Sequence, residues 1–215
     1  TMPEKLAYVG AKRADFWPLA LFDAAWDASR TESEILSHPR DIDILFVGAL
    51  HVDKMPTLAA VKRHFGSRCR LHGLTNWKKN LYFKVKHRAP GWVSPIAFED
   101  YVGLYKRSKI GFNVHLRGDY TVGSFRIFEL PANGVMQISD GGPYLGDFYE
   151  VGTEIQGFRG TDQLIGKIDH FLTHDRERRD HIVAAFRRTM RDHRIGHRMH
   201  QLDALIRDAR ADLKS

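Results

Sequence analysis

Arg126 and Glu129 sit one helical turn apart in Gly123-Ser-Phe-Arg-Ile-Phe-Glu-Leu-Pro-Ala-Asn-Gly-Val-Met-Gln-Ile-Ser139. This stretch reads as a glycine-started helix running into a short apolar strand. A helix start presents free N–H groups and a partial positive charge, which suits phosphate at Gly123 and Ser124. A carboxylate further in, Glu129, suits a ribose diol, so the segment suggests a nucleotide-diphosphate site. The preceding loop, His115-Leu-Arg-Gly-Asp-Tyr-Thr-Val-Gly-Ser124, is polar and punctuated by glycine. His115 suits a sugar hydrogen bond or a base role, because an imidazole's unperturbed pKa lies near neutrality. Arg117 and Arg126 suit a pyrophosphate clamp. His115 and Arg117 are the candidates for chemistry, and Arg126 is a candidate for binding the nucleotide. Gly48, in the loop Gly48-Ala-Leu-His-Val-Asp-Lys-Met55, brings backbone amides and Lys54 toward a phosphate, although the loop is neither GxGxxG nor a Walker loop. Trp92 and Val93 offer a shelf and backbone edges for a base. Asp140-Gly-Gly-Pro-Tyr-Leu-Gly-Asp147 reads equally as a ligand loop or a simple turn.

These residues need a frame that alternates strands with helices. Ile42–Val47, Cys69–His72, Lys109–Val114, Val135–Ser139 and Thr153–Phe158 read as short strands. Met55–Phe65 has apolar residues at 55, 58, 61 and 65, which is helical spacing. Phe98–Arg107, Ser124–Asn133 and the stretches 161–173, 175–193 and 197–213 read as further helices. Alternation at this spacing predicts an α/β fold, a single parallel-sheet domain with helices on both faces and a helical C-terminal extension. Ligands in such sheets bind beyond the carboxyl ends of the strands. Residues 1–40 read as an irregular segment and linker, and 41–215 as the domain.

Composition narrows the function. The chain has 215 residues, 43% hydrophobic and 27% charged, which is ordinary for a globular protein. No run of about 18 apolar residues is present, so no membrane-spanning helix is expected. Cys69 is the single cysteine, which excludes disulfide stapling and favours a reducing, cytoplasmic setting. The net charge of +7 is consistent with an anionic substrate or a peripheral contact at the inner face of a membrane. Aromatics are not interleaved with the cations, so no specific nucleic acid is expected. Twelve histidines include helically spaced pairs such as His170/His174, but no HExxH or Cys/His quartet occurs, and no metal site is expected.

Taken in order, the strand ending at Gly48, the segment Trp92–His115, the Arg-Ile-Phe-Glu helix and the Arg- and His-rich stretches Asp175–His181 and His193–Arg198 resemble the C-terminal half of a GT-B glycosyltransferase. More closely they resemble the group 1 domain of the spore-maturation-protein-like (CgeB-like) family, over roughly residues 41–206. The resemblance implies a Rossmann-like domain of GT-B type that binds a nucleotide-diphosphate sugar. It implies Glu129 on the ribose, Gly123 and Ser124 facing the diphosphate, and the base near Trp92–Ser94. Many retaining relatives carry a second glutamate eight positions earlier, where this chain has Thr121. The sugar-facing partner is then missing or replaced by His115, Arg117 or Asp119, and retaining versus inverting stereochemistry stays open. No GT-A-like Asp-x-Asp motif is read, so neither a metal nor another cofactor is expected beyond the donor substrate. A whole GT-B enzyme has two such domains. The glycan or lipid-linked acceptor would therefore be held by an N-terminal acceptor domain in the same or another chain. The alternative is a non-catalytic nucleotide-sugar-binding module that kept the half-fold.

Overall fold

The computed structural model describes residues 17–26, 30–115, 124–140 and 145–212. Five strands, β1 (Ile42–Val47), β2 (Cys69–His72), β3 (Ser108–Asn113), β4 (Met136–Asp140) and β5 (Gln156–Phe158), form one parallel sheet in the order β2-β1-β3-β4-β5. The helices between and after them are α1 (Glu32–Ser37), α2 (Met55–Phe65), α3 (Trp77–Lys86), α4 (Phe98–Lys106) and α5 (Arg126–Ala132). They continue with α6 (Leu145–Phe148), α7 (Thr161–Thr173), α8 (Asp175–Asp192) and α9 (Ile195–Asp212). This is the expected single α/β domain with a helical C-terminal extension. Among the described residues no helix is long and apolar enough to cross a membrane.

β1 is central and reads as a nearly continuous apolar run because both its faces are covered. Ile44 and Phe46 pack into one core with Leu58 and Val61 of α2 and Leu164 and Ile168 of α7. Leu45 and Val47 point the other way, against Tyr101 and Tyr105 of α4 and Leu130 of α5. A third cluster joins Leu21 and Ala25 to Phe128, Phe148, Tyr149 and Ala185.

Three segments differ from the sequence expectation. The stretch 23–40 was expected to be a linker, yet it contains α1. Thr31 and Glu34 form a reciprocal capping box there, with the Glu34 N–H donating to Thr31 Oγ1 at 3.3 Å. Ile35 is buried, and Arg40 donates to the carbonyls of Ser108 (2.6 Å) and Ile35 (3.0 Å), which ties the segment to the sheet. The stretch 77–86 was not expected as a helix, but α3 starts there, capped by Asn76 Oδ1 accepting from the Lys79 N–H at 2.9 Å. The expected strand 153–158 is a strand only over its last three residues. Residues 152–155 turn instead, with the Gly152 N–H donating to the Ile155 carbonyl at 2.7 Å.

Candidate functional site

The chain leaves β1 for β2 on one side, then crosses back to lay down β3, β4 and β5 on the other. The direction reverses between β1 and β3, which makes the ends at Val47 and Asn113 the natural ligand crevice. Two strand-to-helix loops touch there. The Gly48 N–H donates to the His72 carbonyl at 2.9 Å. Gly73 has φ +147°, and a Cβ there would lie 1.9 Å from the Gly48 carbonyl oxygen, so the contact requires glycine.

Two cations converge on this crevice. Arg126 opens α5, and its guanidinium carbon lies 3.5 Å from where a Cβ of Gly48 would stand. Lys54 ends the β1–α2 loop and is only 6% exposed. Burial, helped by the nearby Arg126 charge and opposed by Asp140, brings its amine down to about 8. Among the described residues no carboxylate lies within ion-pair distance of Lys54. It is therefore a desolvated cation beside another cation, an arrangement that an anionic ligand would relieve.

His115 follows β3 and is held by Asp140 at the end of β4. The Asp140 carboxylate accepts from the His115 backbone N–H at 2.7 Å and from Nδ1. Nδ1 therefore carries a proton in that bond, and Nε2 is the ring nitrogen left for a ligand. Among the described residues, the buried His115 Nε2, Ser124 Oγ and Arg126 Nε have no hydrogen-bond partner. Buried polar atoms are normally paired, so three such atoms near one crevice mark a place for a polar ligand. Arg117, Asp119, Thr121, Gly123 and the loop 141–144 lie outside the described residues. The helix effectively begins at Ser124, because the Ser124 and Phe125 carbonyls accept from the N–H groups of Ile127 (3.0 Å) and Phe128 (2.9 Å).

Glu129 is 7% exposed and already engaged. Its two oxygens accept from the Tyr101 hydroxyl at 2.9 Å and the Tyr105 hydroxyl at 3.4 Å. Burial raises its pKa, and the Tyr101 hydrogen bond and the Arg126 charge oppose that rise. Each carboxylate oxygen retains acceptor capacity beyond one tyrosine.

The base shelf expected at Trp92 and Val93 is corrected at Val93. Val93 is a core residue, 1% exposed, and Asn80 bonds both its N–H (2.9 Å) and its carbonyl (3.1 Å). Ser94 bridges His72 along β2. Trp92 is half exposed. Instead, Pro95, Ile96 and Ala97 line a cleft of about 500 Å³ with His72, Asp100 and Leu104 at the carboxyl end of β2.

Sequence reasoning left Lys54, Asp140 and the two tyrosines out of the main set. Asp140 was readable as a polar residue closing an apolar strand. The tyrosines at 101 and 105 read only as a helix face, since a core stripe and a carboxylate-binding pair look alike at that spacing. An Asp-x-Asp sequence does occur, Asp41-Ile-Asp43, which corrects the reading that none is present. It lies at the amino end of β1, where Asp41 pairs with Arg107, and Asp43 with Arg68 (2.7 Å) and Lys109 (2.6 Å). Among the described residues no three His, Cys, Asp or Glu side chains converge as a metal site.

The fold recurs in solved structures at low identity. A glycosyltransferase from Rickettsia africae aligns over 96% of this chain and 61% of its own, with TM-score 0.69 and 12% identity. This chain thus spans less than two thirds of that protein's length. The C-terminal domain of a glycosyl transferase group 1 family protein from Francisella tularensis aligns over 80% of this chain and 97% of its own, with TM-score 0.55 and 14% identity. An Anabaena protein crystallised with UDP and glucose aligns over 86% of this chain and 54% of its own, with TM-score 0.64 and 8% identity. The search of curated proteins finds no match. The architecture is that of a GT-B Rossmann-like half-fold. A family model matches residues 55–204, which run from the start of α2 into α9 and include Arg126, Glu129 and His115, and by that match the chain belongs to the glycosyl transferase-like family.

Proposed function

We propose that this chain is the donor domain of a group 1 GT-B glycosyltransferase of the spore-maturation-protein-like type. It would bind a nucleotide-diphosphate sugar for transfer to a glycan or lipid-linked acceptor, held by a domain in the same or another chain. One observation carries the reading. Arg126 lies over Gly48 at the switch point, the buried Lys54 amine feels its charge, and polar atoms of His115, Ser124 and Arg126 nearby are buried with no partner among the described residues. The Anabaena structure, which holds UDP and glucose in the same fold, supports it.

In transfer, the bond between the anomeric carbon and the diphosphate oxygen breaks as the acceptor oxygen bonds that carbon. Lys54 and Arg126 stabilise the charge that gathers on the leaving diphosphate. Asp140 holds the His115 ring with Nε2 free to accept a hydrogen bond or proton from a hydroxyl. Glu129 takes the ribose hydroxyls through its remaining lone pairs, and the base occupies the cleft at Pro95–Ala97. Calorimetry with UDP, GDP, ADP and CDP tests this. One of the four should bind and raise Tm, and Arg126→Ala should weaken it at least about tenfold, the loss of a charged hydrogen bond. Binding by none of the four would overturn the reading.

A further inference from the structure

α3 turns its apolar side outward. Only Asn80 and Phe83 of its ten residues are buried. Trp77 is 65% exposed, Leu81 45%, Tyr82 47% and Val85 71%, and Leu74 just before the helix is 75% exposed. Residues 77, 81 and 85 repeat every fourth position and form one stripe. Lys84 flanks that stripe on one side and Lys79 and Lys86 on the other, with Lys78 beside it, all solvent-exposed. Residues 54–98 carry ten lysines and arginines and not one Asp or Glu. Asn80 anchors this helix rigidly by its two bonds to the Val93 backbone.

We propose that α3 docks on the surface of a membrane rich in anionic lipid. Trp77 and Tyr82 have the amphipathic rings that settle at the headgroup level, and Leu74, Leu81 and Val85 reach the acyl boundary beneath them. The lysines meet the anionic headgroups. Nucleic acid suits the surface less well, because aliphatic side chains provide no stacking plane for bases. A second copy of the chain would bring two lysine rims together, which like-charge repulsion opposes. The face lies outside the nucleotide crevice, so it stands whether or not that crevice binds a nucleotide.

Co-sedimentation of the full chain with lipid vesicles tests the proposal. The protein should pellet with phosphatidylcholine–phosphatidylglycerol vesicles and stay in solution with phosphatidylcholine alone. Lys79→Ser and Lys86→Ser should each lower the partition coefficient roughly fivefold. The double variant Trp77→Glu, Val85→Glu should abolish pelleting with its melting temperature unchanged, since both side chains face solvent. A blue shift of tryptophan fluorescence on binding should vanish in Trp77→Phe. The proposal is overturned by failure to bind the mixed vesicles, or by unaltered binding of the Trp77→Glu, Val85→Glu protein. It is equally overturned if that double variant instead dissolves a dimer or abolishes binding to RNA.

Discussion

Lys54 sets stability against binding at a single amine. Its folded pKa is about 8 against an ordinary 10.5. The unfolded chain therefore holds more protons between those values, and stability rises as pH rises from about 8 toward 10.5. Below pH 8 the full penalty is present, an order of 3 kcal/mol for a shift of this size. Lys54→Met should raise the Tm of the unliganded protein by several degrees and flatten that alkaline rise. A bound diphosphate reverses the preference, so nucleotide affinity should fall as pH climbs through about 8. In Lys54→Met the affinity should drop tenfold or more, and full retention of affinity would remove Lys54 from the site. Glu129 is the second residue-scale test. Its raised carboxyl pKa means the folded state holds the extra proton, so stability falls as pH rises from the unfolded value through the folded one. Glu129→Gln removes that dependence while keeping an amide in reach of Tyr101 and Tyr105. It should leave neutral-pH stability equal or higher, while nucleotide affinity drops roughly tenfold with the loss of a charged hydrogen bond. Undiminished affinity would assign Glu129 to the tyrosine pair alone. His115, Arg126 and Glu129 stood out in the sequence because polar residues around a glycine-started helix are few and conspicuous. Lys54 was visible only as a loop lysine, since its burial and the charges of Arg126 and Asp140 that act on it come from parts of the chain remote in sequence.

At the scale of elements, the same contrast separates α2 from α3. The four apolar residues of α2 at 55, 58, 61 and 65 all reach the core, so its spacing alone identifies the helix. α3 buries one polar residue and one aromatic and exposes the rest, so no inward stripe is present to read. β1 was readable because burial on both faces makes it an apolar run, and β2 because Cys69 and Leu71 alternate with the outward Arg70. β5 was overextended because the β-branched Thr153 and Ile155 lead into it, whereas the Gly152–Ile155 hydrogen bond makes that stretch a turn. α1 had a readable signal in Thr31 and Glu34, the capping-box pair, overshadowed by the polar stretch around it. The weight that Asn80 bears in holding α3 is measurable. Asn80→Ala would strip partners from two buried backbone groups of Val93, at about 1–3 kcal/mol each. Urea unfolding should show a loss of about 3 kcal/mol, whereas Leu81→Ser on the outer face should change stability by less than about 0.5 kcal/mol. Equal effects at the two positions would mean that α3 is held by something other than the Asn80 clamp.

Across the whole molecule, the two ends of the described chain close on each other beneath the sheet. Leu21 donates its N–H to the His193 carbonyl at 2.8 Å, and the Trp17 indole donates to the Arg198 carbonyl at 2.8 Å. Arg198 in turn donates to the Leu19 carbonyl at 3.1 Å and to His193 Nδ1 at 2.9 Å. His193 Nε2 meets the Phe148 carbonyl at 2.7 Å, so the proton is on Nε2 and Nδ1 accepts. The ring packs against Phe128, Phe148 and Tyr149, which brings α5, α6, α8 and the N-terminal segment to one histidine. Burial, with the adjacent Arg198 charge, holds its pKa down at about 4, although the Phe148 carbonyl favours the charged form. Between that value and 6.5 the unfolded chain binds a proton that the folded protein excludes, so stability must fall as pH drops through this window. The size is on the order of 3 kcal/mol, since each pKa unit is worth about 1.4 kcal/mol. His38, His72, His87 and His181 are also held below their ordinary values and add slope of the same sign. His193→Gln isolates the one contribution, because the amide retains a donor and an acceptor but does not titrate. Urea unfolding at intervals from pH 7 to pH 4.5 should show a shallower decline for His193→Gln than for the unaltered chain. The variant should be the less stable of the two at pH 7, where the aromatic packing around the ring is lost, and the gap should narrow toward pH 4.5. Parallel profiles would show that the closure of the chain's two ends around His193 does not govern acid stability.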